Sequence, residues 1–212
     1  LVMRYHSLGD VVLTTGVVRA LSGRDPDPIE VVTGRRFFPV FEGNVRIARL
    51  WERRALEEAV RVGSAPRFGR VLDLQGTAGS RRLARRLGPG RTLRSRSLAR
   101  RWVVLWGDRP PRPRIPHAVE RYAEVAGLGP GWTAQEGTPE VFVTASDREA
   151  LARAVPEWQS LPGSVVLLTG ASRRSKAYPR DQFLEVGRRL ERAGMRPVWV
   201  EDPAAPSGET IG

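Results

Sequence analysis

The sequence of 212 residues contains no cysteine and only two histidines, His6 and His117. Disulfides, thiolate nucleophiles and cysteine-based zinc sites are therefore excluded, and little material remains for a histidine-rich metal centre. No run of about 18 apolar residues occurs, and the first residues lack the pattern of a signal peptide. These absences favour a soluble, cytoplasmic protein, and we expect neither a metal nor an organic cofactor.

Positive charge is concentrated in one stretch of the chain. The sequence carries 35 basic and 23 acidic residues, a net charge of +12. Residues 81–114 alone hold 12 arginines and one acid, Asp108, so the rest of the chain is almost neutral. A local patch of this kind predicts contact with an anionic partner. Lys176 is the only lysine, and it stands out because so arginine-rich a composition would favour arginine in its place.

Strand and helix patterns alternate along the chain and predict a mainly parallel α/β sheet with helices on both faces. Strands are expected at residues 2–5, 29–33, 47–51, 71–74, 91–96, 165–168 and 198–200. Helices are expected at residues 10–21, 78–87 and 117–126, after a capping box formed by Ser146 and Glu149, and from Pro179 onward to a cap at Gly194.

Residues 156–163 are typical of a connection between domains, which we place at residues 1–160 and 161–212. The second domain would then contain a single βαβ unit, whose first strand, residues 165–168, is apolar enough to be buried on both faces. One such unit is too small for an independent core. We therefore expect the sequence to be a fragment of a longer chain.

Two loops at predicted strand ends carry residues suited to chemistry. The first, His6-Ser7-Leu8-Gly9-Asp10, follows the first strand, and ligands of open α/β sheets bind at the carboxyl ends of strands. Asp10 is suited to accepting a proton from a substrate hydroxyl, although an acid at such a place also commonly caps a helix. The second loop, residues 169–179, leads into a helix N-terminus, where backbone N–H groups and Lys176 would hold a diphosphate. A solvated surface loop is the alternative there.

The arginine-rich segment has three interpretations. Arg81 and Arg82 each have another arginine four residues on, and such like-charge pairs are unfavourable unless an anion lies against them. Farther along the segment, basic residues flank an apolar run in a pattern typical of an anionic membrane surface. The residues in question are Arg100, Arg101, Trp102 and Trp106. A partly buried helix covered by arginine stems is the second interpretation. Nucleic acid is the third, although no nucleic-acid-binding motif accompanies the charge.

Four segments occur in a set order along the chain. They are RYHSLGDVVL at residues 4–13, VLDLQG with SRRLA at residues 71–84, HAVERY at residues 117–122, and GAS to KAYP at residues 170–179. This ordered set resembles the ADP-heptose:lipopolysaccharide heptosyltransferases, glycosyltransferase family 9. The last segment is similar to the family pattern Gly-Ala-x-x-x-x-Lys-x-Trp-Pro, with Tyr178 in the place of tryptophan.

The resemblance implies a GT-B-like architecture, in which a Rossmann-like acceptor domain precedes a nucleotide-sugar domain. It implies an inverting, metal-independent glycosyltransferase that moves a heptose or related sugar from an ADP-heptose-like donor to a lipopolysaccharide-core or similar anionic glycolipid. Asp10 would be the catalytic base, and Lys176 would stabilise the leaving diphosphate with help from Thr169 and Ser172. We assign acceptor binding to Ser7, Gly9, Gln75, Arg81, Arg82 and Arg121.

The same resemblance places the protein in the cytoplasm, in peripheral contact with the inner face of the membrane that carries the acceptor. The Asp-x-Gly and His-Leu-Ala type segment of the family's nucleotide-sugar domain is missing from these 212 residues, so we expect weak or no transfer by them alone. The alternative function is a non-catalytic basic protein that binds nucleic acid or an anionic membrane surface.

Overall fold

The computed structural model describes residues 1–93, 116–129, 132–133, 135–154, 163–170 and 178–200. The chain divides into two compact units, Leu1–Thr144 and Ala145–Gly212. Each unit contains a parallel sheet with helices, which confirms the predicted α/β fold. Residues 156–162 of the expected connection lie outside the described residues. None of the helices in the described ranges is long and apolar enough to cross a membrane.

The sheet of the first unit has five parallel strands. They are β1 (Val2–Met3), β2 (Ile29–Thr33), β3 (Ile47–Glu52), β4 (Val71–Asp73) and β5 (Gly90–Thr92). Their order across the sheet is β3-β2-β1-β4-β5, so the chain winds outward from β1 in both directions. The connections after β1 and β4 therefore diverge at the point where the strand order reverses, and ligands of open α/β sheets bind at that point.

Helices cover both faces of this sheet. They are α1 (Leu8–Ser22), a 3-10 helix (Arg35–Val40), α2 (Arg53–Arg61), α3 (Ala78–Leu87) and α4 (Ala118–Ala126). Successive strand residues face opposite sides, so Val2 packs in a core with α1 and α4, whereas Met3 packs in a second core with α2 and α3. Burial on both faces explains why successive residues are apolar at Val2–Met3, Val31–Val32 and Val71–Leu72.

The 3-10 helix and α2 are absent from the sequence prediction. Helix α2 has only two large apolar residues, Leu56 and Val60, four positions apart, and both pack in the second core, so its apolar pattern is regular but short. Polar contacts add to this packing. The Glu52 side chain accepts a hydrogen bond from the Ala55 N–H, and Arg53 pairs with Glu57 at 2.9 Å.

The second unit contains α5 (Ala145–Ala154), β6 (Ser164–Leu168), α6 (Arg180–Arg192) and β7 (Arg196–Val200). Strands β6 and β7 are parallel, with Val166 opposite Val198, so the expected βαβ unit is confirmed. The expected full burial of β6 is wrong. Val166 and Leu168 are 57% and 67% exposed, because the described elements of this unit do not cover both faces of a two-stranded sheet.

Helix starts in the second unit differ from the sequence prediction by one or two residues. Ser146 is not a cap residue, since Ala145 already belongs to α5. Pro179 is the cap residue of α6 and not its first helical residue. Gly194 follows the last cap residue with a φ of +74°, the left-handed conformation that ends many helices.

The turn from β4 to α3 is fixed by the buried Asp73, which is 0% exposed. Its Oδ1 accepts hydrogen bonds from the N–H groups of Gln75 and Gly76, both at 3.0 Å, and its Oδ2 accepts one from the Ser80 hydroxyl at 2.9 Å. Gly76 has a φ of +69°, and a Cβ there would lie 2.6 Å from the Leu93 carbonyl oxygen. Asp73 and Gly76 together set the course of the chain at the edge where β4 ends.

Replacement of Asp73 by alanine should therefore destabilise the protein strongly. The substitution removes the acceptor of the buried Ser80 hydroxyl and of two half-buried N–H groups, and we expect a loss of roughly 2–4 kcal/mol in the free energy of unfolding, measured in urea. Asp27→Ala is the matched control, because Asp27 is an exposed aspartate in the turn before β2 and should change the value by less than about 0.5 kcal/mol. Equal losses for the two variants would contradict this role of Asp73.

Candidate functional site

The loops that follow β1 and β4 lie against each other at the carboxyl edge of the sheet. The Tyr5 N–H donates a hydrogen bond to Gln75 Oε1 at 3.1 Å, and Gln75 Nε2 lies 3.0 Å from His6 Nε2. His6 is exposed and Gln75 is half-buried, so both are reachable from solvent. The structure thus brings Gln75 into contact with the loop that carries Ser7, Gly9 and Asp10.

Asp10 lies in the first turn of α1 and is held by side chains. Its Oδ2 accepts hydrogen bonds from the Arg4 guanidinium and from the Ser7 hydroxyl, the latter at 3.0 Å. Its Oδ1 accepts one from the Tyr122 hydroxyl at 2.8 Å. The cap residue of α1 is Ser7 and not Asp10, so the capping alternative does not describe this carboxylate. The Asp10 side chain is 31% exposed and remains accessible to a ligand.

Arg4 joins three parts of the site although it is almost buried, with 8% of its surface exposed. One guanidinium nitrogen donates to the Leu74 carbonyl oxygen at the end of β4, at 2.6 Å, and another pairs with Asp10. The guanidinium carbon lies 5.6 Å from the centre of the Tyr122 ring. A buried charge is tolerated when it is paired and hydrogen-bonded, and Arg4 meets both conditions through its two Nη atoms, while its buried Nε has no hydrogen-bond partner in the described structure.

These contacts keep Asp10 ionised and Tyr122 neutral. Burial by itself would raise the pKa of Asp10, but the Tyr122 hydrogen bond, the Arg4 charge and the Ser7 hydroxyl hold that pKa below its ordinary value. Burial raises the pKa of Tyr122, and the hydrogen bond to Asp10 adds to this, while Arg4 acts in the opposite direction. The site therefore presents a carboxylate next to a protonated phenol at neutral pH.

The arrangement can take a proton from a bound hydroxyl group. A carboxylate that is ionised and accessible is a suitable general base, provided that the hydroxyl comes within hydrogen-bond distance. Ser7 and Gly9 are exposed beside it, and no atom lies within 4 Å of the position that a Cβ would take at Gly9. The described surface next to Asp10 is therefore open on the side of this loop.

Arginines lie near this edge on α3 and α4. Arg81 donates to the Gly76 carbonyl oxygen, with its Nη2 at 2.8 Å, so it is tied to the loop after β4. Arg82 is exposed on α3, and Arg121 is half-buried on α4 directly before Tyr122. Arg81 thus contacts the loop after β4 through the Gly76 carbonyl oxygen. Arg121 is the neighbour in sequence of Tyr122, whose hydroxyl contacts Asp10.

Several predicted site residues lie elsewhere or outside the described ranges. Thr169 directly follows β6 in the second unit, where its N–H donates to the Val200 carbonyl oxygen at 3.3 Å. Within the described ranges, no group of three or more His, Asp and Glu side chains could hold a metal ion. The residues outside the described ranges are Ser172, Lys176, Arg100, Arg101, Trp102 and Trp106.

Arg4 and Tyr122 are the two contributors that the sequence analysis missed. Arg4 carries a signal in the sequence, since it is a charged residue directly after two apolar strand residues, at a strand end where polar groups approach ligands. Tyr122 lies on the apolar face of a helix and looks like a core residue. Its hydroxyl is the signal, because a buried tyrosine needs a hydrogen-bond partner.

The fold defines a class of protein. A doubly wound parallel sheet followed by a further parallel βαβ unit matches the GT-B-like fold of a solved heptosyltransferase. The family model of glycosyltransferase family 9 (heptosyltransferase) matches residues 53–211. The chain therefore belongs to glycosyltransferase family 9, the heptosyltransferase family. A search of curated proteins finds no match to the sequence.

Solved structures of similar fold agree with this assignment. The glycosyl transferase family 9 protein from Veillonella parvula DSM 2008 has a TM-score of 0.70 at 18% identity, covering 95% of this chain and 62% of its own. E. coli heptosyltransferase WaaC with ADP-2-deoxy-2-fluoro heptose has a TM-score of 0.58 at 20% identity, covering 95% and 69%. WaaC with ADP gives 0.58 at 20% identity, covering 93% and 65%. The chain thus spans about two thirds of the length of these proteins.

Proposed function

We propose that the protein is an inverting glycosyltransferase that moves a heptose or a related sugar from a nucleotide diphosphate to a hydroxyl of an anionic glycolipid. The observation that carries the proposal is the ionised, accessible Asp10 carboxylate at the switch point of the sheet, in a chain of family 9. Asp10 takes the proton of the acceptor hydroxyl while the hydroxyl oxygen attacks the anomeric carbon and the diphosphate leaves. A single displacement of this kind inverts the anomeric configuration.

The acceptor is bound at the edge where β1 and β4 end. Arg81 and Arg82 supply positive charge for an acidic sugar, and Arg81 is already fixed to the loop after β4 through the Gly76 carbonyl. Gln75 Nε2 lies 3.0 Å from His6 Nε2 and would contact an acceptor bound between the two loops. We propose that the acceptor is a lipopolysaccharide-core-like glycolipid. The residues assigned to binding it are Ser7, Gly9, Gln75, Arg81, Arg82 and Arg121.

The donor is a nucleotide diphosphate sugar, and an ADP-heptose-like one is the first candidate. Support comes from WaaC, which has been solved with ADP and with ADP-2-deoxy-2-fluoro heptose. In this chain the motif around Lys176 supplies the matching chemistry, with Thr169 and Ser172 in the same stretch. An ammonium group balances the charge that develops on a leaving diphosphate, so we propose transfer without a metal ion.

A basic face on α3 supports peripheral association with the membrane leaflet that carries the acceptor. The arginines of α3 are all exposed, the helix contains no acid, and within the described ranges none of these arginines forms an ion pair. The four residues are Arg81, Arg82, Arg85 and Arg86. Each basic side chain near an anionic lipid surface contributes about 1 kcal/mol of attraction.

Asp10→Ala tests the base in the full-length protein. We expect the rate of sugar transfer to fall at least about 100-fold, because no general base remains for the acceptor hydroxyl. Donor affinity, measured by calorimetry with ADP, should stay unchanged, since Asp10 serves the acceptor side. Transfer at the original rate would refute the assignment of Asp10.

Lys176→Ala tests the diphosphate site. We expect ADP to bind at least about ten-fold more weakly, because a charge-assisted contact to the phosphates is lost. Lys176→Arg is the matched control, since it keeps the positive charge and should retain most of the affinity. Transfer by the unmodified protein should continue in EDTA. Undiminished ADP affinity in Lys176→Ala, or loss of transfer in EDTA, would contradict the metal-independent role of Lys176.

Removal of two charges tests the basic face of α3. The double variant Arg85→Gln/Arg86→Gln should bind vesicles of phosphatidylethanolamine and phosphatidylglycerol about thirty-fold more weakly, because roughly 2 kcal/mol of attraction is lost. The control Arg53→Gln/Arg61→Gln removes two arginines of α2 that pair with Glu57 and Glu58. Equal weakening by both variants would show that net charge, and not the α3 face, binds the membrane. Mixed-sequence DNA is added as a competitor of the vesicles. Displacement of the protein from the vesicles by this DNA would reveal a nucleic-acid site.

A further inference from the structure

We propose that Tyr122 and Arg4 are positioning residues that hold Asp10 with one acceptor position of its Oδ1 atom directed to the substrate hydroxyl. The chemical part of this inference rests on the proposed function, because that function makes Asp10 the proton acceptor. The contacts themselves belong to a single unit of the chain and can be tested without any transfer assay.

The two carboxylate oxygens of Asp10 are not equivalent. Each oxygen of a carboxylate offers about two acceptor positions. Both positions of Oδ2 are used, by the Arg4 guanidinium and by the Ser7 hydroxyl. Oδ1 accepts only from the Tyr122 hydroxyl within the described part of the chain. One position of Oδ1 is therefore left for a substrate, and this oxygen is also the better proton acceptor because Arg4 neutralises its neighbour.

The groups that hold the carboxylate are themselves fixed. Tyr122 is 2% exposed and lies in the core between α4 and α1, so its ring has little freedom. Arg4 is anchored at its other nitrogen by the Leu74 carbonyl oxygen. Rigid neighbours of this kind lower the cost of bringing a base and a hydroxyl into the reactive geometry.

The proton balance is simple. The acceptor hydroxyl gives its proton to Asp10 Oδ1 as its oxygen bonds to the anomeric carbon, and the electron pair of the broken bond leaves with the diphosphate. Tyr122 keeps its own proton throughout. The charged and titratable groups that face this cluster are Arg4 from the end of β1, Tyr122 from α4, and Arg121, which acts on Tyr122.

Tyr122→Phe removes the hydroxyl and leaves the ring. The pKa of Asp10 should rise, because a donor to the ionised form is lost, so the acid limb of the pH profile of kcat should move to higher pH. At neutral pH kcat should fall roughly ten-fold to 100-fold, because the carboxylate is less well oriented, while the KM for the donor should not change.

Tyr5→Phe is the matched control. Tyr5 is buried one residue after Arg4, and its hydroxyl has no hydrogen-bond partner in the described structure. Loss of that hydroxyl should leave kcat, its pH profile and the titration of Asp10 unchanged. The pair of variants thus removes the same chemical group from two buried rings, of which only one contacts the base.

The titration of Asp10 gives a readout that does not depend on turnover. Carbon-13 NMR of the aspartate carboxyl groups, with Asp10→Asn for assignment, should show Asp10 titrating at higher pH in Tyr122→Phe than in Tyr5→Phe. Arg4→Lys keeps a positive charge, but a single ammonium group cannot reach both Leu74 and Asp10 as the planar guanidinium does. Asp10 should therefore titrate at higher pH in this variant as well.

The outcomes separate the two claims. Equal titrations in Tyr122→Phe and Tyr5→Phe would overturn the positioning role, even if Tyr122→Phe were less stable or slower, because a merely structural hydroxyl would leave the pH limb in place. If the unmodified protein transfers no sugar, the proposed function fails, and the NMR titration still decides whether Tyr122 and Arg4 hold Asp10.

Discussion

The buried guanidinium of Arg4 is the constraint on which the site depends. A charge that is 8% exposed needs a partner inside the protein, and here the partners are the Asp10 carboxylate and the Leu74 carbonyl oxygen. Through these contacts one side chain connects the end of β1, the end of β4 and the first turn of α1. The ion pair that stabilises this corner of the fold also keeps the carboxylate ionised. Arg4 thus serves both the fold and the charge state of Asp10. Loss of either partner of this ion pair would leave an uncompensated charge inside the protein.

Two aspartates near neighbouring strand ends show how environment separates a structural acid from an accessible one. Asp73 is fully buried, and its oxygens accept from two backbone N–H groups and from the Ser80 hydroxyl, so it shapes a turn and is closed to ligands. Asp10 is 31% exposed and is held by side chains that leave room at Oδ1. The carboxyl edge of the sheet therefore contains a buried structural aspartate and an accessible one, which follow two strands that are hydrogen-bonded to each other, β4 and β1.

Local patterns in the sequence predict the helices and strands of this fold better than the contacts between distant side chains. Strand 29–33 and helix 78–87 have the predicted bounds, because short apolar runs and a Gly-Pro stop mark them without ambiguity. Helix α2 escapes prediction because its apolar pattern consists of only two large residues, Leu56 and Val60, among mostly charged ones. The Asp10 loop is found because it follows a strand, but its partner Tyr122 lies 112 positions away. Contacts over such separations leave no periodic trace in a single sequence.

The placement of arginine carries more information than its abundance. A composition biased toward arginine explains why 35 basic residues include a single lysine, but such a bias acts on all helices alike. On α2 and α6, arginines pair with glutamates at helical spacing, as in Arg53 with Glu57 and Arg189 with Glu185. Helix α3 carries four arginines and no glutamate, so no such pairing is possible within it. Four like charges on one short helix repel one another by a few tenths of a kcal/mol per pair, and an anion that lies against them would relieve this cost. The exposed arginines of α3 are therefore the feature on which the proposed contact with an anionic surface rests, independently of the motifs that define the family.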